Sequence, residues 1–315
     1  MSDNLRVLIV GAGTIAKEYI KVLLAQHKVP IVITRGEDKA SDLKRIYPDI
    51  EVLTGGLENR LNNFKMPTYA IVATPIESLS LCTKLLIQAG CKNIMAEKPL
   101  TFYSDDASVI KQMACIHNSN VFIAYNRRTY QSVLKAKELI VEDGGVLSFH
   151  FDFTEAIFKI TPANYDENTL KYWGMANSSH VIDTAFYIAG KPAWIECRQY
   201  GDKVSWHEAG SVFTGMGETL AGVPFTYHAN WGAPGRWNIE IMTEKRKLML
   251  SPMEKLKQQK KNGFIVEDIE INERLDTDFK PGFHQQVSNF LSSGDLLSIN
   301  KLEEGISIFK KVFNY

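Results

Sequence analysis

The 315-residue sequence has no excess of charge of either sign and no long apolar run. Its 36 lysines and arginines balance 36 aspartates and glutamates, so no long-range field attracts nucleic acid or an anionic membrane. The apolar run from Val7 to Val10 is too short for a signal or membrane segment. We therefore expect a cytoplasmic protein with no nucleic-acid or membrane partner, whose partner is a small molecule or a second copy of the chain.

Cysteine pairs and metal-ligand motifs are also absent from the sequence. The four cysteines form no C-x-x-C pair, a pattern typical of reduced, mostly buried thiols rather than of a disulfide framework. They are Cys82, Cys91, Cys115 and Cys197. The seven histidines include no H-E-x-x-H or comparable cluster, so we predict no bound metal.

The length of the chain favours two domains, and the first of them shows a clear rhythm. Up to residue 124, short β-rich runs alternate with amphipathic helical stretches. The strand candidates are Arg6 to Val10, Ile31 to Thr34, Tyr69 to Ala73, Asn93 to Ala96 and Val121 to Ala124; the helix candidates include Ala16 to Gln26 and Leu79 to Ala89. This alternation predicts an α/β domain over residues 1–124, a Rossmann-type, doubly wound parallel sheet.

After residue 124 the pattern changes to runs with a period of two. The predicted strands are Val146 to Phe153, Ala193 to Tyr200, Ser211 to Thr214, Pro224 to Asn230, Trp237 to Thr243 and Lys247 to Leu250. Helical patterns cover Ser132 to Glu142, Ser178 to Ala189, Gly282 to Ser292 and Lys301 to Phe313. Residues 125–315 are thus predicted to form an α+β domain with a large, mostly antiparallel sheet, the substrate domain.

The first strand runs directly into a G-x-G-x-x-A motif, which is typical of dinucleotide-binding proteins. The motif reads Gly11-Ala12-Gly13-Thr14-Ile15-Ala16. Gly11 permits a tight turn, Gly13 lets a pyrophosphate approach the backbone, and the small Ala16 lets the helix pack on the strand. Its place between a strand and a helix, at the head of a βαβ series, is the context that the motif requires.

The end of the second strand indicates which dinucleotide is bound. NAD enzymes usually carry an acidic residue there, whereas this chain has Thr34 and Arg35, a hydroxyl and a guanidinium suited to the 2′-phosphate of NADP. Glu37 and Asp38 follow slightly later, and a shift in loop register would bring one of them to the ribose. NADP is the favoured cofactor and NAD the alternative.

Two further segments follow parallel strands and are expected at the same edge of the sheet. Ala73-Thr74-Pro75 is predicted to lie on the phosphate side of the cofactor. Glu97 and Lys98 are predicted to face the crevice near the nicotinamide, where a partly desolvated lysine exchanges a proton with a substrate oxygen.

Taken together, four motifs resemble the glucose-fructose oxidoreductase / inositol dehydrogenase (Gfo/Idh/MocA) family over nearly the whole chain. They are GAGTIA at 11–16, ATP at 73–75, EKPL at 97–100 and NRR at 126–128. The resemblance implies a Rossmann domain followed by an open antiparallel sheet and NAD(P)-dependent chemistry on CH–OH groups. It also implies that Lys98 lies beside the nicotinamide and the substrate, and that the Lys98–Pro99 bond is cis.

A third element of that family is a helix with the pattern D-x-G-x-H-x-x-D, and this chain departs from it. His180 and Asp183 match, but Ala176 stands at the catalytic aspartate position and Ser178 at the glycine. Three alternatives follow: Lys98 and His180 suffice as the catalytic pair, Asn177 helps to orient the substrate, or hydride chemistry has been lost. Asp183 is expected to be structural.

Aromatic, amide and guanidinium groups near these positions suit a polyhydroxylated substrate. Besides Lys98 and His180, the candidate substrate-binding residues are Asn126, Arg127, Trp173 and Asn177. The predicted substrate is a sugar, cyclitol, sugar acid or sugar nucleotide.

The resemblance further implies that one face of the second sheet forms an interface between copies of the chain, in a homodimer or homotetramer, so that the domain of residues 125–315 also serves oligomerisation. The aromatic-rich strands, with Phe149, Phe151, Phe153, Phe213, Phe225 and Tyr227, are compatible with such self-association. Alternation along the strand places Phe149, Phe151 and Phe153 on one face.

Our first hypothesis is hydride transfer between NAD(P)(H) and a secondary alcohol or ketone. The alternative is a non-catalytic, nucleotide-binding sensor or interaction protein, because the same fold serves both roles. A third possibility is a hydrolase-like cycle in which a trapped nicotinamide oxidises and then re-reduces the same substrate.

Overall fold

The computed structural model describes residues 5–61 and 64–315, which form two compact units. The first unit comprises residues 5–125 and 283–304, and the second comprises residues 126–282 and 305–315. The division therefore differs from the predicted boundary after residue 124, because a late segment of the chain returns to the first unit.

The first unit contains a seven-stranded sheet in the order β15-β6-β5-β4-β1-β2-β3. Its strands are β1 (Arg6–Val10), β2 (Val29–Ile33), β3 (Glu51–Leu53), β4 (Tyr69–Val72), β5 (Asn93–Glu97), β6 (Asn120–Ala124) and β15 (Leu297–Ser298). β1 to β6 pair in parallel, and the short β15 pairs antiparallel to β6. The predicted Rossmann-type sheet is confirmed; β3 and β15 were not predicted.

Five helices connect successive parallel strands among the described residues of this unit: α1 (Thr14–Ala25), α2 (Glu37–Ile46), α3 (Gly56–Arg60), α4 (Ile76–Gln88) and α5 (Ser104–His117). A sixth, α10 (Phe283–Ser292), returns to the unit late in the chain. The returning helix α10 packs on α1, with the rings of Tyr19 and Phe283 4.7 Å apart. The amide of Gln26 also donates to the His284 carbonyl at 3.0 Å. Burial of the aromatic face of α10 explains why this helix belongs to the first unit rather than to the predicted second domain.

The second unit contains an eight-stranded sheet in the order β14-β13-β12-β11-β7-β10-β9-β8. Its strands are β7 (Ser148–Asp152), β8 (Pro192–Tyr200), β9 (Val212–Thr219), β10 (Pro224–Asn230), β11 (Asn238–Met242), β12 (Arg246–Leu250), β13 (Lys257–Lys260) and β14 (Val266–Asp268). Neighbouring strands are antiparallel except for β7 and β10, which run parallel. The predicted large, mostly antiparallel sheet is confirmed.

The helices that follow residue 125 in this unit are α6 (Gln131–Glu142), α7 (Glu167–Lys171), α8 (Ser179–Ala189), α9 (Arg274–Asp278) and α11 (Leu302–Phe313), of which α11 begins in the first unit. α6, α8 and the end of α11 pack against the sheet. A π-helical turn, Gly174–Ser178, leads directly into α8.

The aromatic side chains of the central strands form the core of the second unit. Phe149, Phe151 and Phe153 share one face, as predicted, and are at most 1% exposed. The ring centroid of Phe186 in α8 lies 5.6 Å from that of Phe151, and the ring centroid of Phe313 in α11 lies 5.1 Å from that of Phe153. Phe213, Phe225 and Tyr227 are at most 2% exposed. The assignment of these aromatics to an interface between copies was therefore wrong: helices cover the aromatic face, and its burial stabilises the unit itself.

The opposite face of the sheet carries alternating residues that remain accessible. Trp194, Tyr200 and Met216 are 46, 57 and 50% exposed. His150 and Thr226 face each other across β7 and β10 and hydrogen-bond at 2.9 Å. We call this the open face.

Two smaller expectations can be checked against the fold. All four cysteines are free; Cys82 and Cys91 are buried, Cys197 is half-buried and Cys115 is exposed. Within residues 5–61 and 64–315, no helix is long and apolar enough to cross a membrane.

Candidate functional site

A cleft of about 670 Å³ lies in the first unit, at the carboxyl ends of its parallel strands. Each residue predicted to bind the cofactor lines it. These are Gly11, Ala12, Gly13, Thr14, Ile15, Thr34, Arg35, Ala73, Thr74, Pro75, Glu97 and Lys98. The chain thus gathers four segments that are up to 87 positions apart in sequence into one cleft (98 − 11 = 87).

The turn at Gly11 depends on the absence of a side chain. Gly11 has a φ of +119°, and a Cβ there would lie 2.3 Å from the carbonyl oxygen of Ala73. Its N–H donates to the Ile33 carbonyl at 2.9 Å, and the N–H of Ala73 donates to the Val10 carbonyl at 2.8 Å. Gly11 therefore holds the ends of β1, β2 and β4 together.

Gly13 faces the cleft rather than the protein. It caps the N-terminus of α1, and a Cβ at this position would meet no atom of the described residues within 4 Å. The N-terminal N–H groups of a helix and its dipole attract anions, so the position is open for a pyrophosphate.

The far end of the cleft carries the groups that would meet the adenosine ribose. Thr34 is buried, and the guanidinium of Arg35 donates to the hydroxyl of Ser78 at 3.2 Å. Lys39 also lines this end, together with the carboxylates of Asp38 and Glu58. Cationic and anionic side chains thus both line this end of the cleft. The sequence had left the choice between NADP and NAD open at the same position.

Lys98 lies in a tight turn that follows β5. The N–H of Leu100 donates to the Glu97 carbonyl at 3.1 Å, and the Lys98–Pro99 peptide bond is cis, as predicted. Glu97 and Lys98 are half-buried and line the same cleft.

Tyr19 of α1 orients Glu97, a role that sequence reasoning missed. Its hydroxyl donates to Glu97 Oε1 at 2.6 Å, and burial together with the Glu97 charge raises the pKa of Tyr19, which keeps this donor protonated. The side-chain amide of Gln286 lies 3.3 Å from the same hydroxyl. Because the single phenolic proton goes to Glu97, the Gln286 nitrogen should face Tyr19. Since Tyr19 follows Ala16 by three residues, the helical spacing after the glycine motif was the available signal.

In the second unit, His180 lies beside an aromatic and a cationic group. Its ring centroid is 6.3 Å from that of Trp237, and the Arg127 guanidinium lies 4.7 Å from the Trp237 ring. Two predicted substrate residues, His180 and Arg127, thus both lie near Trp237. The strand pattern had placed Trp237 only at the start of a predicted strand.

Asp183 forms a buried, bidentate ion pair with Arg128. The two hydrogen bonds measure 2.7 and 2.6 Å, and the side chains are 7 and 17% exposed. This geometry is that of a structural clamp between α8 and the segment before α6, consistent with the structural role expected for Asp183.

The π-helical turn before His180 is fixed by a buried carboxyl group, Glu155. Asn177 Nδ2 donates to Glu155 Oε2 at 2.8 Å, and the hydroxyl of Ser178 donates to the other oxygen. Glu155 is 6% exposed and Ala176 is 5% exposed. Sequence reasoning missed Glu155, because nothing in the spacing links position 155 to position 177.

A second set of contacts holds the start of the same turn. The Gly174 N–H donates to the Tyr315 hydroxyl at 3.1 Å, and this hydroxyl lies 2.7 Å from His207 Nε2. His207 Nδ1 faces the Gly210 carbonyl at 2.9 Å, so it must carry the proton. Burial lowers the pKa of His207 and raises that of Tyr315, so both stay neutral and Tyr315 donates to Nε2.

Two other predicted substrate residues are engaged in packing. Asn126 is buried, and its amide donates to the Pro281 carbonyl at 2.9 Å. Trp173 is 5% exposed and packs edge-on against Tyr165 and Trp206, at 5.0 and 5.6 Å. Trp173 directly precedes the π-helical turn, so its packing helps to hold the start of that turn.

No group of three or more histidine, cysteine, aspartate or glutamate side chains suited to a metal ion is found among residues 5–61 and 64–315.

Gly11 faces the protein backbone and Gly13 faces the cleft, so alanine at the two positions should have different effects. Gly13→Ala should weaken dinucleotide binding at least tenfold without lowering the Tm, because the added methyl group points into the cleft. Gly11→Ala should lower the Tm by several degrees, because its methyl group meets the Ala73 carbonyl at a positive φ. Nicotinamide fluorescence titration and thermal unfolding measure the two effects. Tight binding by Gly13→Ala would place the pyrophosphate elsewhere.

Comparison with known proteins identifies a family whose sequence model matches the first part of the chain. Residues 5–125 match the sequence model of the Gfo/Idh/MocA family, described as an oxidoreductase family with an NAD-binding Rossmann fold. A curated relative, glutamyl-tRNA reductase of Prochlorococcus marinus (strain AS9601), is 27% identical over 157 residues, 46% of this chain. The match spans only 34% of the length of that relative.

Solved structures match the fold of the whole chain. An oxidoreductase from Agrobacterium radiobacter, in complex with NAD+, L-tartaric acid and magnesium, superposes with a TM-score of 0.80 at 15% identity, covering 99% of this chain and 96% of that one. An inositol dehydrogenase homologue from Azotobacter vinelandii, complexed with NADH and myo-inositol, gives 0.77 at 14% identity, covering 100% and 96%. At such identities these likenesses show the fold alone.

The motif-based recognition is confirmed by the family match: residues 5–125 of this chain match the Gfo/Idh/MocA oxidoreductase family, with its NAD-binding Rossmann fold.

Proposed function

We propose that the protein is an NAD(P)-dependent oxidoreductase that transfers hydride between the nicotinamide and a secondary alcohol or ketone. The observation that carries this proposal is the cleft, in which the glycine turn and Lys98 share one edge of the parallel sheet. A bound nicotinamide supplies the hydride acceptor or donor. The protein supplies binding, orientation and proton transfer.

The proposed substrate is a small polyhydroxylated compound of the carbohydrate class. The structural neighbours from A. radiobacter and A. vinelandii hold L-tartaric acid and myo-inositol, both rich in hydroxyl groups. The second unit of this chain offers matching polar groups: Arg127 and His180 lie beside the ring of Trp237, and Asn177 precedes His180 by three residues.

Lys98 and His180 are the proposed proton-handling residues. In the oxidative direction the carbinol C–H bond breaks and its electron pair leaves with the hydride, while the hydroxyl proton passes to the Lys98 amine or the His180 imidazole. In the reductive direction the same group returns the proton to the carbonyl oxygen. Glu97, fixed by Tyr19, lies next to Lys98 in sequence and keeps a carboxylate at this end of the cleft.

For the cofactor, we propose a preference for NADP(H). Arg35, Lys39, the Ser78 hydroxyl and the N-terminus of α2 at Glu37 are suited to a 2′-phosphate. Asp38 at the same end is the competing group that would favour the free 2′-hydroxyl of NAD.

We further propose that two copies of the chain associate through the open face. The aromatic face is covered by helices within one chain, whereas Trp194, Tyr200 and Met216 leave apolar surface exposed on the other side of the same sheet. A second copy that presents the same face would cover this surface by two-fold symmetry.

The hydride-transfer proposal is tested by Lys98→Met on a panel containing myo-inositol, L-tartrate, aldoses and ketoses, with both cofactors. We expect kcat to fall at least 100-fold while the cofactor Kd changes little, because a general acid–base group contributes about 10²- to 10⁴-fold. Lys92→Met, an exposed lysine just before β5, is the matched control. Unchanged turnover in Lys98→Met contradicts the role of Lys98. Tight cofactor binding by the wild-type protein without turnover on the panel favours the sensor alternative.

The cofactor proposal is tested by titrating the cofactor-stripped protein with NADPH and NADH in parallel. We expect tighter binding of NADPH, and we expect Arg35→Ala to weaken NADPH at least fivefold while leaving NADH nearly unchanged, since charge-assisted hydrogen bonds to a phosphate are lost. Asp38→Asn should instead tighten NADPH binding, because it removes the repulsion between the Asp38 carboxylate and the 2′-phosphate. A wild-type preference for NADH would reverse the assignment.

The self-association proposal is tested by size-exclusion chromatography with light scattering. The wild-type protein should have the mass of a dimer or tetramer, and Met216→Lys should shift it to a smaller species, because a charge is placed among the exposed apolar residues of the open face. Phe158→Lys, which alters an 86% exposed residue away from the sheet, should leave the mass unchanged. A wild-type monomer would rule the proposal out.

A further inference from the structure

Glu155 is held in place by the sheet of the second unit. It follows β7, where the indole N–H of Trp231 donates to the Phe153 carbonyl at 3.2 Å and the Asn230 N–H donates to the Thr154 hydroxyl at 3.0 Å. These bonds anchor the two residues before Glu155. The position of its carboxyl group is therefore set by the rigid part of the unit rather than by a free loop.

The contacts of Glu155 determine how the Asn177 amide is turned. A carboxylate accepts hydrogen bonds and does not donate them, so the amide must direct its nitrogen towards Glu155, as the 2.8 Å contact shows. The Asn177 carbonyl oxygen then points away from the carboxylate. The Ser178 hydroxyl donates to the other carboxylate oxygen.

Exposure differs sharply within this segment. Glu155 is 6% exposed and Ser178 is 0% exposed, whereas Asn177 is half-buried and reaches the surface of the unit. Asn177 precedes His180 by three residues, at the junction of the π-helical turn with α8. The other residues of this turn are buried, so Asn177 is its accessible polar side chain.

We propose that Glu155 is a positioning residue of the substrate site, which fixes the Asn177 amide with its carbonyl oxygen outward as an acceptor for a substrate hydroxyl. This inference rests on the proposed function. It also gives a physical reading of the Ala176 position: the carboxyl group that supports this site comes from the end of β7 rather than from the helix. The recognised chemical class is a hydroxyl-bearing substrate, because the oriented carbonyl oxygen accepts a hydrogen bond and does not donate one.

The first test is Glu155→Gln, assayed with the polyol of the panel that gives the highest kcat/KM. A glutamine amide presents either its oxygen or its nitrogen, so Asn177 is no longer forced into one orientation. We expect KM to rise about tenfold, as loss of one oriented hydrogen bond predicts, with kcat changed less than threefold and the cofactor Kd unchanged.

A double-mutant cycle separates positioning from general stability. Asn177→Ala should raise KM by a similar factor, and Glu155→Gln should add nothing further on that background, because Glu155 acts through Asn177. If the KM increases of the two single variants multiply in the double variant, Glu155 only stabilises the loop, and the proposal is overturned. Asp166→Asn is the control: Asp166 also accepts from a nearby residue, Thr169, and asparagine keeps this helix cap, so KM should not change.

Each outcome has a defined meaning. Should Glu155→Gln not fold, Asn177→Ala decides, and an unchanged KM in that variant overturns the proposal. Turnover by the wild-type protein with an unchanged KM in Glu155→Gln overturns this inference alone. Absence of wild-type turnover on every polyol with both cofactors overturns this inference and the proposed function together.

Discussion

The cleft of the first unit depends on how closely the ends of β1 and β4 approach each other. At Gly11 the backbone comes so near the Ala73 carbonyl that a single carbon atom would not fit. That approach aims α1 at the cleft and sets Thr34 and Lys98 at the same edge of the sheet. The positive φ of Gly11, the hydrogen bonds to Ile33 and from Ala73, and the open space at Gly13 all follow from this one constraint.

In the second unit the corresponding constraint is burial of aromatic rings on one face of the sheet. Phe149, Phe151 and Phe153 require a cover, and Phe186 of α8 supplies part of it. Since His180 lies on the same helix, the packing that stabilises the core also fixes the direction of the histidine. The Arg128–Asp183 pair and the Gly174–Tyr315 contact hold the helix from two further sides.

Sequence reasoning predicted most of the fold, since alternation, periodicity and the glycine motif are local signals. β1 and β10 have the predicted bounds. Short elements such as β3, β13 and β14 were missed because three or four residues give no detectable period. The twelve cofactor residues follow strand ends and were found on that basis. Glu155, Tyr19 and Trp237 were missed because their partners are 22, 78 and 57 positions away (177 − 155, 97 − 19, 237 − 180).

The sequence pattern of the aromatic strands did not predict whether their aromatic face lies in the core or at an interface. Alternation fixes which residues share a face but does not say which face the helices cover. A row of phenylalanines fits a core as well as it fits an interface, and only the position of α8 and Phe313 decides between them. The same reasoning applies to Ala176. The absence of an aspartate from a motif shows only that one position of the chain has changed. The charge of a site depends on every side chain that reaches it, including those from other elements. A carboxylate from the end of β7 can serve that site as well as one on the helix, provided that the sheet holds it as firmly as it holds Glu155.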